Sequence, residues 1–156
     1  MKEIRSDQNF QAWARLSQTR DIIFKAREKE LGQSGISSAE ARALLVLGAM
    51  DAPITLTELS RWLIREPHTV SSLLNRMERE GLVKKTKDLN KKNILRISLT
   101  QKGKQSRKQV TKMKPIQRIF SRLTEEQRQQ LISCLEILLK ESLRETKVGW
   151  KILPFP

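Results

Sequence analysis

Between Asp7 and Leu31 the apolar residues Phe10, Trp13, Leu16, Ile23 and Phe24 recur at spacings near three and four, which predicts a long amphipathic helix. The stretch Gly32–Gly35 ends it. Ser37 or Ser38 can cap a second helix, because a short hydroxyl accepts from the orphan amides of a first turn. The run Leu44, Leu45, Val46, Leu47 makes that helix largely buried, and Asp51-Ala52-Pro53 breaks it. Ile54-Thr55-Leu56 reads as a short extended piece. Thr57 and Glu58 then open a helix carrying Leu59, Trp62, Leu63 and Ile64, and Pro67, well suited to a first turn, starts another that runs to about Glu80.

Gly81 stands where a left-handed helix stop suits glycine. Residues 82–86 and 95–99 flank a polar, Asn-rich tip, and the alternation Leu95, Ile97, Leu99 marks one buried and one exposed face, so the segment reads as a β-hairpin with a basic loop. Thr100 can cap a helix running toward Leu123, interrupted or bent near Pro115, with Val110, Met113, Ile116 and Phe120 as a sparse apolar stripe. Thr124 and Gln127 fit a capping box for the last helix. Leu131, Ile132, Leu135, Leu138, Leu139 and Leu143 give that helix an apolar face wider than it needs on its own. The fold class is therefore mainly α with a small β-hairpin wing, in a single domain over residues 1–156.

Charge narrows the partners. Lys and Arg number 31 against 17 Asp and Glu, a formal net charge of +14, which favours a polyanion. Thirteen of the basic residues fall between Arg79 and Lys114, where the acids are Glu80 and Asp88. No stretch approaches the roughly 18 apolar residues of a spanning helix, and no charged leader runs into an apolar segment, so a cytoplasmic location without a membrane partner is expected. With one cysteine, Cys134, and one histidine, His68, neither a disulfide framework nor a metal site is expected. There is no Gly-rich phosphate loop and no nucleophile with a base at useful spacing, so no enzyme activity and no cofactor are expected.

Within the helix starting at Pro67, Val70, Leu73, Leu74 and Met77 share a narrow arc that should pack on the preceding helix. The other side carries His68, Thr69, Ser71, Ser72, Asn75, Arg76 and Arg79, polar or basic groups able to enter a major groove and reach base edges or phosphates. Two short helices in close succession followed by a basic hairpin make a winged helix-turn-helix over residues 54–103. On the hairpin, Lys84, Lys85, Lys87, Asn90, Lys91, Lys92, Asn93 and Arg96 are the candidate DNA contacts.

The segments Leu59-Ser-Arg-Trp-Leu63, His68 through Val83 and Ser98-Leu-Thr-Gln-Lys-Gly103, in this order, resemble the MarR family of transcriptional regulators. The resemblance implies a homodimer held by helices at 7–31 and 100–146, with one reading helix of each subunit in a major groove and its wing beside the minor groove. The wide apolar faces at both ends ask for a partner independently. A two-fold dimer implies an inverted-repeat operator with half-sites about 10 bp apart. On this reading Asn75→Ala or Arg76→Ala should weaken operator binding more than binding to random DNA.

The family's Asp-x-x-Asp-Arg-Arg wing pattern stands here as Asp88-Leu-Asn-Lys-Lys92. Lysine is a hydrated point charge where arginine is a planar fork, so Lys91 and Lys92 should grip phosphate more than read sequence, and the ion-pair partner that Asp88 usually has in the family is left open. The resemblance further implies a repressor relieved by a small anionic or phenolic ligand, for which Trp13, Phe24, Met50 and His68 are the candidate pocket residues. Cys134, among Ile132, Leu135 and Leu138, is expected to be a buried thiol with no redox role. In the apolar tail over 148–156, Trp150, Ile152 and Phe155 are expected to dock across the dimer. The competing reading is a sequence-tolerant architectural nucleic-acid binder dominated by the lysine-rich wing.

Overall fold

The computed structural model describes residues 7–88 and 93–146, so Asn90, Lys91, Lys92 and the tail over 148–156 lie outside the described residues. The elements follow in the order α1 (Gln8–Gly32), α2 (Ser38–Ala49), β1 (Ile54–Thr55), α3 (Leu56–Leu63), α4 (Pro67–Arg79), β2 (Val83–Lys87), β3 (Leu95–Leu99), α5 (Gln101–Val110), α6 (Lys114–Phe120) and α7 (Glu125–Thr146). The architecture is mainly helical, with one small antiparallel sheet in the order β1-β3-β2. The sheet gains a third strand because Ile54 pairs with Ile97, so the short extended piece before α3 becomes the inner edge of the wing.

Local chemistry sets most element ends. Asp7 caps α1, its carboxylate accepting from the Asn9 amide at 2.9 Å. Ser37 and Glu40 form a reciprocal capping box on α2. A second box moves the start of α3 upstream of the expected Thr57: the Thr55 hydroxyl accepts from the Glu58 amide at 3.2 Å, and the Glu58 carboxylate accepts from the Thr55 amide at 2.8 Å. Pro67 occupies the first turn of α4, where its missing N–H costs nothing. Thr124 and Gln127 form the third box, ahead of α7.

The core lies within the winged lobe. Leu44 and Val46 of α2, Leu59 and Leu63 of α3, Val70, Leu74 and Met77 of α4, Val83 and Ile97 of the sheet, and Val110 at the end of α5 are all buried. The stretch toward Leu123, expected to be interrupted or bent near Pro115, is interrupted there and forms two helices. Met113 takes a left-handed backbone (φ 44°), and the Lys114 amide donates to Glu30 of α1 at 2.9 Å, which turns the chain so that Pro115 falls in a new first turn rather than inside a bend.

One expectation is overturned in the single chain. Cys134 is exposed, not buried, because α7 has no buried residue and Ile132, Leu135 and Leu138 beside it are exposed as well.

Candidate nucleic-acid interface

The outward face of α4 is set first by how α3 is joined to α4. Ile64 adopts a left-handed backbone (φ 56°), and the Arg65 amide donates back to the Ser60 carbonyl at 3.1 Å, closing α3 and turning the chain within the residues Ile64–Glu66. Val70, Leu73, Leu74 and Met77 are buried against the lobe. That packing fixes the rotation of α4 and leaves His68, Thr69, Ser72, Asn75, Arg76 and Arg79 exposed on its outer side, with Ser71 half-buried.

Exposure alone does not make these residues equivalent. Arg76 is tied inward: its Nε donates to the Glu40 carboxylate at 2.8 Å and its guanidinium reaches the Ser37 hydroxyl at 3.3 Å. The side chain of Glu40 is only 6% exposed. Burial opposes ionisation of Glu40, but the Ser37 hydroxyl and amide and the Arg76 guanidinium outweigh it and hold the carboxyl below the ordinary glutamate range. Sequence patterning missed this residue because a Glu in the first turn of a helix reads as a capping group. Its second partner comes from a helix 36 positions along the chain.

A carboxyl whose folded value is depressed contributes stability above its unfolded value and loses that contribution as pH falls through the folded one. Glu40→Gln keeps a capping-box side chain but removes the titration. Thermal melts between about pH 3 and 7 should therefore show a shallower acid limb for Glu40→Gln than for the parent chain. Identical limbs would show that Glu40 does not contribute to acid unfolding.

Alternation sorts the wing residues. Lys85 turns toward α4, donating to Asn75 at 2.6 Å and pairing with Glu78 at 2.9 Å. Lys84, one residue earlier, faces the other side of the sheet and lines a cleft between the end of α2, β3 and α5. Lys87 and Asn93 are exposed where the hairpin strands approach the tip.

The closing run Leu99-Thr-Gln-Lys-Gly103 clamps α5 onto the turn after α4. The Thr100 hydroxyl donates to the Gly81 carbonyl at 2.6 Å and accepts from the Gly103 amide at 3.0 Å, while the Lys102 ammonium reaches the Glu80 carbonyl at 2.7 Å. Gly81 itself has φ 72°, the left-handed stop for which glycine is suited.

A model of the MarR family matches residues 34–92, from the turn before α2 to the wing tip. Over this segment the chain is similar to the MarR family. Solved structures extend the likeness across most of the chain. The organohalide-sensing RdhR-CbdbA1625 transcriptional regulator, in its 2,4-dichlorophenol-bound form, is 28% identical with a TM-score of 0.84, covering 96% of this chain and 90% of that one. A Staphylococcus aureus MepR–DNA complex is 25% identical with a TM-score of 0.71, covering 80% and 96%. AbsC, a MarR family regulator from Streptomyces coelicolor, shares the fold at 20% identity with a TM-score of 0.80, covering 89% and 97%. No curated protein matches the chain by sequence. Together the family and structural likeness support a DNA-binding transcriptional regulator.

The wing of this chain departs from the MarR pattern at the arginine pair, yet Asp88 is not left without an arginine. Arg96 of β3 donates to the Asp88 carboxylate at 2.6 Å and lies 3.7 Å from Glu58 of α3. The Asp88 amide also donates to the Ile94 carbonyl at 2.8 Å. Arg96, a candidate DNA contact in sequence, thus braces the two wing strands against the helix-turn-helix. This pairing is invisible in the sequence because its members are eight residues apart across a hairpin whose register must be known.

The pocket candidates occupy separate places. Trp13 on α1 is 63% exposed, and Phe24 lies beneath the Arg20 guanidinium, 5.2 Å from its ring centre. His68 is exposed at the start of α4. Of the four, only Met50 lines the cleft beside Lys84. Among the described residues there is no group of side chains suited to a metal ion, and no helix long and apolar enough to cross a membrane.

Proposed function

We propose that the chain is a homodimeric, sequence-specific repressor that binds an inverted-repeat operator through α4 and the wing. The observation that carries this reading is the two-sided character of α4: one arc is locked into the core, and the other presents short polar and basic side chains beside a basic hairpin. Homodimerisation is supported by the apolar residues that α1 and α7 leave uncovered, including Phe10, Trp13, Leu16, Ile132, Leu135 and Leu138. A chain of +14 net charge would also associate with DNA rapidly and with strong salt dependence.

Relief by a small phenolic or anionic ligand is part of the same proposal. It is supported by the 28% identical regulator seen with 2,4-dichlorophenol bound. Trp13, Phe24, Met50 and His68 are the residues proposed to meet such a ligand once two chains assemble, since the single chain places them on separate elements.

Titration of the protein against the DNA upstream of its own coding region, at physiological salt and with random duplex as competitor, tests the reading. Preference for the specific site by at least about a thousandfold is expected. Equal binding to both would replace it with the sequence-tolerant architectural reading.

The roles within α4 separate in the same assay. Asn75→Ala should cost about 1–3 kcal/mol on the operator and little on random duplex. Because Arg76 holds Glu40 in the free protein, Arg76→Ala should instead lower the melting temperature and weaken both DNAs alike. A selective operator loss in a fully stable Arg76→Ala variant would return Arg76 to base reading.

A further inference from the structure

On the side of the sheet away from α4, a cleft of about 500 Å³ opens between the end of α2, the turn at Asp51–Pro53, β3 and α5. Leu47, Ile97 and Leu99 are among the residues that line it. Its charge is one-sided: Lys84, Lys104, Arg107 and Lys108 all line it, against the single carboxylate of Asp51. Lys104, Arg107 and Lys108 recur at helical spacing, so one face of α5 supplies three of the four cations, and Lys84 arrives from β2.

Arg107 is the distinctive member. The residue is half-buried, and its Nε is buried with no hydrogen-bond partner among the described residues, which is costly for a polar atom unless something completes it. The guanidinium lies directly over Gly48 of α2, where a Cβ would collide with its Cδ, Nε and Cζ atoms. Glycine at 48 is therefore what lets the side chain lie down into the cleft rather than extend into solvent.

We propose that this cleft is a binding site for a phosphoryl group, separate from the groove-reading face of α4. Four converging cations against one acid call for an anion of more than one charge. A phosphomonoester carries about −1.5 to −2 at neutral pH with three strong acceptor oxygens, and arginine's planar fork matches it. The volume falls within the range of small-molecule sites. The same chemistry is offered by a backbone phosphate of bound DNA, so the test must separate the two sources.

Inorganic pyrophosphate is the probe, titrated calorimetrically into the full-length protein without DNA, so that the result does not depend on the operator reading. One saturable site per chain is expected, weakened at least about tenfold by Arg107→Met. Gly48→Ala provides a second variant: it retains every charge, adds a good helix former and displaces only the flexible end of Arg107, so loss of binding in a fully folded Gly48→Ala chain ties the site to this geometry. Unchanged DNA affinity in Gly48→Ala would assign the site to a free phosphorylated ligand. Absence of pyrophosphate binding, together with weaker DNA binding and a flatter salt slope in Gly48→Ala, would assign it to the DNA backbone. Pyrophosphate binding that is absent or indifferent to both variants, with DNA binding also unchanged, overturns the proposal.

Discussion

Replacing Gly103 by alanine is expected to destabilise the protein by about 2–3 kcal/mol, even though alanine is the better helix former. A Cβ at 103 would strike the Leu82 carbonyl oxygen and come within 3.3 Å of Leu99 Cδ2. The carbonyl is held in place because it already accepts from the Thr100 amide at 3.1 Å. Relief would require α5 to lift from the turn after α4, loosening the wing and the cleft together. Gly32→Ala is the matched control: nothing lies within 4 Å of its added Cβ, so it should be neutral or stabilising by about 0.5–1 kcal/mol. Chemical denaturation of both variants checks the contrast, and equal stability of the two would mean that the close approach at Gly103 is not rigid.

Introducing charge into the apolar stripe of α7, as Leu135→Asp with Leu138→Asp, should leave the fold of one chain intact and abolish the proposed dimer. The two side chains are 38% and 52% exposed in the single chain, so little of the intramolecular core depends on them. Two half-sites bound by linked subunits gain avidity of about 10²–10⁴ over one, and operator affinity should fall by a factor in that range. Light scattering after size exclusion reads the first effect and the operator titration reads the second. A dimer that survives both charges would move the interface elsewhere. A monomer that keeps its operator affinity would remove the need for two-fold symmetry.

Local signals in the chain carried far. The apolar spacing near three and four in α1 and the run Leu44–Leu47 marked helices, and Ser37 or Ser38, Thr124 and Gln127 marked caps, because capping and amphipathic patterning depend on neighbours three or four positions away. The outward arc of α4 was legible for the same reason: Val70, Leu73, Leu74 and Met77 define its inner side, and the polar residues must take the other. The start of α3 was missed although its signal is also local, Thr55 and Glu58 standing three positions apart. The second capping box, at Thr55, replaced Thr57 as the start of α3 in the context of a strand whose pairing partner, Ile97, lies far along the chain.

The carboxylate partners of individual charges came from the tertiary structure. Arg76, Arg96 and Lys85 all read as exposed cations for DNA, yet folding brings Glu40, Asp88 and Glu78 to within hydrogen-bond reach of them. Cys134 reads as core because leucines surround it in sequence, yet α7 buries nothing within one chain. Amphipathic periodicity states that a face must be covered without naming the cover, and basic composition states a preference for anions without saying which cations are already paired. The sequence thus determined the elements, the winged helix-turn-helix order and the sign of the partner. Only the tertiary structure decided which arginines brace the lobe and which line the cleft beside Gly48, because long-range ion pairs and the space left above a glycine exist only once distant segments have packed.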